Sequence, residues 1–249
     1  MKTFKFAILA LSVAGLMSSC TKMYYQIAQT KPVDPAVIQN DNDDSGYYYE
    51  DRNCRVSYDF WSENGDASFT IYNKTDQILY IDMTKTFYIK NGVSTAYYAG
   101  RTWTETQAAA SDYRSSATST QYAEQPVVAV APHSYQTFGN FAISKFVILD
   151  CDLNRKPQKN EPATIAYNSD NTPTTFGNYI TYRVGEKGTE QVVKHMFYVC
   201  RVTNYLETDL IKNEVRKTCK NVSAYGAESE SVKIIHFAPA TGYYHKYMK

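Results

Sequence analysis

Apolar and polar residues alternate in short runs through most of this chain from Cys54 onward. In Ala67 to Asn73, Phe69 and Ile71 fall on one side of an extended strand and Thr70 and Tyr72 on the other. In Gln77 to Met83, Leu79, Ile81 and Met83 share a face. These runs, with Cys54 to Phe60 and Thr86 to Lys90, are separated by Glu63-Asn64-Gly65-Asp66 and Asn73-Lys74-Thr75-Asp76 and closed by Asn91-Gly92. That is the turn chemistry of antiparallel hairpins. Further strands are predicted at Pro126 to Ala131, Ser134 to Ile143, Lys145 to Asp150, Thr175 to Val184, Gln191 to Thr203 and Val232 to Ala238. Strand after strand without regular intervening helices predicts an all-β fold, an antiparallel β-sandwich of the immunoglobulin-like or a related kind.

Elsewhere the alternation lapses. Thr102 to Gln125 is Ala, Ser, Thr and Gln with almost no branched apolar residue, and reads as a long loop, with a turn or two of helix over Glu105 to Tyr113 as the alternative. Leu153 to Pro162 is a second breaker region, and Leu210, Ile211 and Val215 in Thr208 to Lys217 suggest one face of a short helix. Thr21 to Asn53 is polar, contains Pro32 and Pro35 and a turn-rich run from Asn40 to Gly46, and reads as a flexible tether.

The first residues have a different logic. Lys2 and Lys5 precede an apolar run from Phe6 to Met17, followed by Ser18, Ser19 and Cys20. The run is shorter than the ~20 apolar residues a spanning helix needs, and its order of charge, apolar stretch and small residues is that of a signal peptide. Ending in cysteine, it resembles the lipobox of bacterial lipoproteins, with Met17 where that family prefers Leu. The resemblance implies diacylglycerol on the Cys20 thiol and cleavage just before it. The expected organisation is a signal peptide over 1–19, a lipidated tether over 20–53 and a β-sandwich domain over 54–249. Two or more acyl chains, at about 0.8 kcal/mol per buried CH₂, would hold such a protein on a membrane. Thr21 and Lys22 lack the Asp of inner-membrane retention, and Met23, Tyr24 and Tyr25 are no acidic export cluster, so the outer membrane, periplasmic side, is expected over the cell surface.

Composition narrows the partners. A net charge of +1 gives no basic field for nucleic acid, which is therefore not expected as a ligand. Tyrosine is abundant, 23 against 2 Trp, which suits half-buried strands and equally a sugar-stacking or protein-binding surface. With Cys20 lipidated, Cys54, Cys151, Cys200 and Cys219 remain, and four cysteines allow three pairings. Cys200 with Cys219 is favoured because they flank a short excursion, leaving Cys54 with Cys151; buried free thiols are the alternative.

The stretch Phe69 to Gly92, through Ile71-Tyr72-Asn73-Lys74, Tyr80-Ile81-Asp82-Met83 and Phe87-Tyr88-Ile89-Lys90, resembles an uncharacterised family of Bacteroidota lipoproteins. That implies export and fold, and no chemistry. Asp41, Asp43, Ser45 and Gly46 imitate the start of an EF-hand loop, but Arg52 stands where its closing acid belongs. His133, His195, His236 and His245 are isolated, and neither a nucleophile elbow nor a phosphate-binding glycine loop is present. The sequence thus predicts no cofactor and no enzyme, but an envelope lipoprotein with a binding or structural domain. Its partner would be an envelope protein or a glycan; a hydrolase with a motif-free carboxylate pair is the remaining alternative.

Overall fold

The strand Cys54–Tyr58 shows how alternation becomes structure: Cys54, Val56 and Tyr58 turn inward and are buried, while Arg55 faces water. The structure is a computed structural model and describes residues 22–40, 46–111, 114–139, 141–153, 156–218, 228–235 and 239–248. Its strands begin with β1 (Met23–Pro32), β2 (Ile38–Gln39), β3 (Tyr47–Glu50), β4 (Cys54–Tyr58), β5 (Phe69–Asn73) and β6 (Leu79–Asp82). There follow β7 (Phe87–Lys90), β8 (Val93–Ala96), β9 (Thr102–Ser111), β10 (Arg114–Ala123), β11 (Val127–Val130) and β12 (Tyr135–Phe138). The last are β13 (Ala163–Ala166), β14 (Thr175–Val184), β15 (Gln191–Leu206), β16 (Ile211–Thr218), β17 (Glu228–Ile235) and β18 (Gly242–Met248), with a one-turn helix α1 (Glu207–Leu210) before β16.

Nine strands form a large curled sheet with the path β11-β6-β14-β15-β1-β18. Beyond the end of β6, β7 lies on β14 and carries β8; β13 continues the line of β14 along β15. A second sheet runs β12-β5-β4-β3-β2, and the hairpins β9–β10 and β16–β17 each form a two-stranded sheet. The sandwich is filled by Tyr47, Val56, Tyr58, Phe69 and Ile71 from the smaller sheet and Ile81, Phe176, Ile180, Tyr182 and Phe197 from the larger. At its centre the ring of Phe60 lies 4.9 Å from Phe197 and 5.0 Å from Phe176, both edge-on, the geometry the ring quadrupoles favour. The Asn91-Gly92 turn forms as the sequence predicts: both residues have positive φ, and Lys90 pairs with Val93 across a two-residue connection.

The strands expected over 54–60, 67–73, 77–83, 86–90, 126–131, 175–184 and 191–203 correspond to β4, β5, β6, β7, β11, β14 and β15, while the strand expected over 134–143 is shortened to β12 and the one over 232–238 falls in β17 as far as it is described. Four expectations are corrected. The stretch read as a tether begins with β1, an interior strand between β15 and β18. Both its faces are covered, Ala28 by the sandwich core and Tyr25 and Ile27 by Leu210 of α1, so it shows no clean alternation to read. Thr102 to Gln125 is not a loop but the hairpin β9–β10, closed at its base by the Arg101–Glu124 ion pair at 2.7 Å. Over Thr208 to Lys217 the helix is confined to α1, because β16 pairs along its length with β17. Lastly, 145–150 is not a strand. Its central backbone groups are taken by a side chain: Gln26 Nε2 donates to the Ile148 carbonyl at 3.0 Å and Ile148 N–H donates to Gln26 Oε1 at 2.6 Å.

Candidate functional site

On β14 the residues Phe176, Asn178, Ile180 and Tyr182 face the core, so Gly177, Tyr179 and Thr181 form the floor of the sheet's outer face. Register sets Phe87 beside Tyr179 and Ile89 beside Gly177 on one flank, and Val192 beside Thr181 on the other. Together with Ser94, Lys85 and Glu190 these side chains bound a shallow groove of about 430 Å³. The rings of Phe87 and Tyr179 are 6.2 Å apart and inclined at 59°, forming a wedge rather than a flat platform. Gly177 lets the β15 backbone approach closely, since a Cβ there would run into the His195 carbonyl and the Met196 Cα.

One end of the groove is charged. Lys85 pairs with Glu190 and stands 3.6 Å from Asp82. The hydrogen bond from Lys85 to Glu190 raises the ammonium above the ordinary lysine value. The Lys85 backbone is anchored by Thr181, whose hydroxyl donates to its carbonyl at 2.8 Å. The groove therefore offers an apolar wall with a half-exposed ion pair at one end.

The three described histidines lie away from the groove, His133 exposed with its Nε2 2.9 Å from Asp76 Oδ1 and the other two buried. His195 is buried between the sheets, its Nδ1 2.6 Å from the Tyr58 hydroxyl and its ring 4.6 Å from that of Tyr49. Burial pushes its pKa down to about 4, so at neutral pH it is an uncharged core residue. His245 is likewise pushed down to about 4 by burial, with Nδ1 3.1 Å from Asn64 Oδ1. Tyr182 donates to Asp51 Oδ2 at 2.9 Å, while Asp51 Oδ1 accepts the backbone N–H groups of Asn53 and Cys54 at 2.7 and 2.8 Å. Asn53 Nδ2 donates to Gln191 Oε1 at 2.9 Å, completing a network that ties the 51–54 turn to β14 and β15. A second cleft, about 210 Å³, lies between Gln26, Asn204, Tyr247, Met248 and the 147–153 segment. The groove is lined by one carboxylate, Glu190, and the cleft by one, Asp150, so neither presents a catalytic carboxylate pair on its wall.

The cysteines are placed as follows. Cys20 and Cys219 lie outside the described residues. Cys54 is a free thiol buried on β4 and Cys151 a free thiol exposed on a 3-10 turn, so the structure does not make the expected Cys54–Cys151 pair. Cys200 is free and half-buried on β15. Burial pushes the Cys54 thiol up to about 12. The EF-hand-like residues Asp41, Asp43 and Ser45, and His236, also lie outside the described residues. Among the described residues no three His, Cys, Asp or Glu side chains come together as a metal site, and no helix is long and apolar enough to cross a membrane.

Much of the tyrosine abundance is structural: Tyr24, Tyr25, Tyr47, Tyr58, Tyr88, Tyr97, Tyr182 and Tyr243 are buried. Tyr72 and Tyr135 remain outside, opposite one another on β5 and β12. The groove residues escaped the sequence reading because Lys85 and Glu190 are 105 positions apart. The glycine inside the strand run 175–184 marks the close approach of the β15 backbone, not the groove. No known protein family, curated protein or solved structure matches the chain.

Proposed function

We propose that this protein is a lipid-anchored, non-catalytic binding component of a bacterial cell envelope, held by Cys20 in the outer membrane and facing the periplasm. Its groove on the outer face of the large sheet seats an apolar side chain of an envelope protein. The anchor rests on the residues before Cys20. The binding role is carried by one observation: an open groove of about 430 Å³, within the ~300–1,000 Å³ common for ligand pockets, whose walls are Phe87, Ile89, Tyr179 and Val192. The ion pair at its mouth supplies orientation, and His195 and His245 are buried away from it.

Alkyne fatty-acid labelling should mark the wild type and not Cys20→Ala. A photo-crosslinking amino acid placed at Val192 should trap a discrete partner in intact cells, whereas one at Thr137 on the opposite sheet should not, and Phe87→Glu should abolish the Val192 adduct. Equal adducts from both positions would refute the groove reading.

A glycan-binding role has one observation of its own, the exposed Tyr72–Tyr135 pair with Arg55 beside Tyr72 on β4. Titration with soluble envelope glycans tests it. Binding that Tyr135→Ala leaves unchanged would remove this face from consideration.

A further inference from the structure

We propose that one end of the sandwich is a membrane-contact face, on which Phe146, Leu149 and Met248 dip into the lipid interface beside the acylated Cys20. The inference rests on the lipid-anchor reading and adds how the domain sits on the bilayer.

The covalent distance carries the argument. Because β1 starts at Met23, Cys20 is only three residues from an interior strand, and three extended residues span at most ~11 Å. The domain therefore has no long tether to lift it from the head groups; the end of the sandwich that holds Met23 must lie against them. Met23 pairs in register with Met248 at the end of β18. Met248 shares the cleft of about 210 Å³ with Val147 and Leu149. Three large apolar side chains here are strongly exposed: Leu149 at 84%, Phe146 at 80% and Met248 at 66%. Isolated exposed apolar residues are ordinary, but Leu149 and Met248 bound one cleft with Gln26, three residues along β1 from Met23, and Phe146 is three residues from Leu149.

The segment that presents them is fixed. Gln26 of β1 binds both backbone groups of Ile148, and Ile148 is itself buried, so Leu149 is held outward by the same strand that leads to the anchor. Lys22, Lys145 and Lys246, each within two residues of Met23, Phe146 or Met248, are exposed and offer positive charge to anionic head groups. Two carboxylates also belong to this surroundings: Glu63, 3.5 Å from Lys246, and Glu207, beside Tyr25. The acyl chains on Cys20 hold the protein on the bilayer, and the adjacent apolar side chains add buried interfacial area that sets how the domain sits there.

The full-length acylated protein, reconstituted in phosphatidylethanolamine–phosphatidylglycerol vesicles containing a diazirine lipid, provides the test. After irradiation and tryptic digestion, the peptide 146–155 should carry at least fivefold more lipid adduct than 75–85, which holds β6 at the far end of the large sheet. In Phe146→Ser/Leu149→Ser, whose side chains are exposed and outside the core, adducts on the unchanged Met248 should fall severalfold as well. Adducts confined to the peptide bearing acylated Cys20 would overturn the contact face while leaving the anchor intact. An N-terminal peptide without acyl mass would overturn the anchor, and the contact face with it.

Discussion

Gln26→Leu is the sharpest probe of how this chain is put together. If 20–53 were a tether, the substitution would be nearly silent. In the structure Gln26 is 2% exposed and makes three hydrogen bonds: to the Ile148 carbonyl at 3.0 Å, to Asn204 Oδ1 at 3.0 Å, and from Ile148 N–H at 2.6 Å. Leucine is similar in size, so little cavity arises, but both backbone groups of buried Ile148 lose their side-chain partner. Each buried group left unsatisfied costs about 1–3 kcal/mol, and the extra apolar burial of Leu returns part of that, for a net loss of about 3 kcal/mol. At ~2–4 °C per kcal/mol for a chain of this size, the melting temperature should drop by ~6–12 °C. Urea unfolding of the chain lacking residues 1–20, followed by Tyr and Trp fluorescence, measures it, with amide exchange at Ile148 as the local readout. A loss below about 0.5 kcal/mol, with Ile148 exchange unchanged, would refute both the interior placement of β1 and the fixed 145–150 segment.

Other consequences concern the core and its titratable groups. Phe197→Ala removes the ring on which Tyr47, Tyr58, Phe60 and Phe176 converge and should cost about 3–5 kcal/mol in the same assay. His195 and His245 have folded-state pKa values near 4, below the unfolded 6.5, so the unfolded chain binds more protons between those limits. Stability should therefore be flat above about pH 6.5 and fall toward pH 4, by up to about 3 kcal/mol per histidine; imidazole NMR signals of both that titrate near 6.5 would contradict their burial. Native alkylation at pH 8 should modify Cys151 readily and Cys54 only after unfolding, since burial holds the Cys54 thiol up at about 12. Recovery of a Cys54–Cys151 disulfide peptide from the native protein would contradict that placement.

The sequence determined the elements that declare themselves locally. β4, β5 and β6 have one buried face each, so their alternation states which side is the core, and Asn91-Gly92 can only be a tight turn because both residues must take positive φ. The antiparallel all-β class followed from repeating that pattern. Tertiary structure decided whatever depends on who the neighbour is. β1 is covered on both faces and carries Gln26 and Thr30 inside, so its polarity looked like linker until partners distant in sequence supplied the hydrogen bonds. β9 and β10 have no apolar stripe, and each is a strand because the other accepts its backbone. The groove depends on contacts between residues about a hundred positions apart, with Lys85 meeting Glu190 and Phe87 meeting Tyr179, and no local motif encodes such a pairing. Tight turns and strands with one buried face are set by near neighbours along the chain, whereas an interior strand, a hairpin without an apolar stripe and a binding surface are set by distant partners that only the folded chain brings into register.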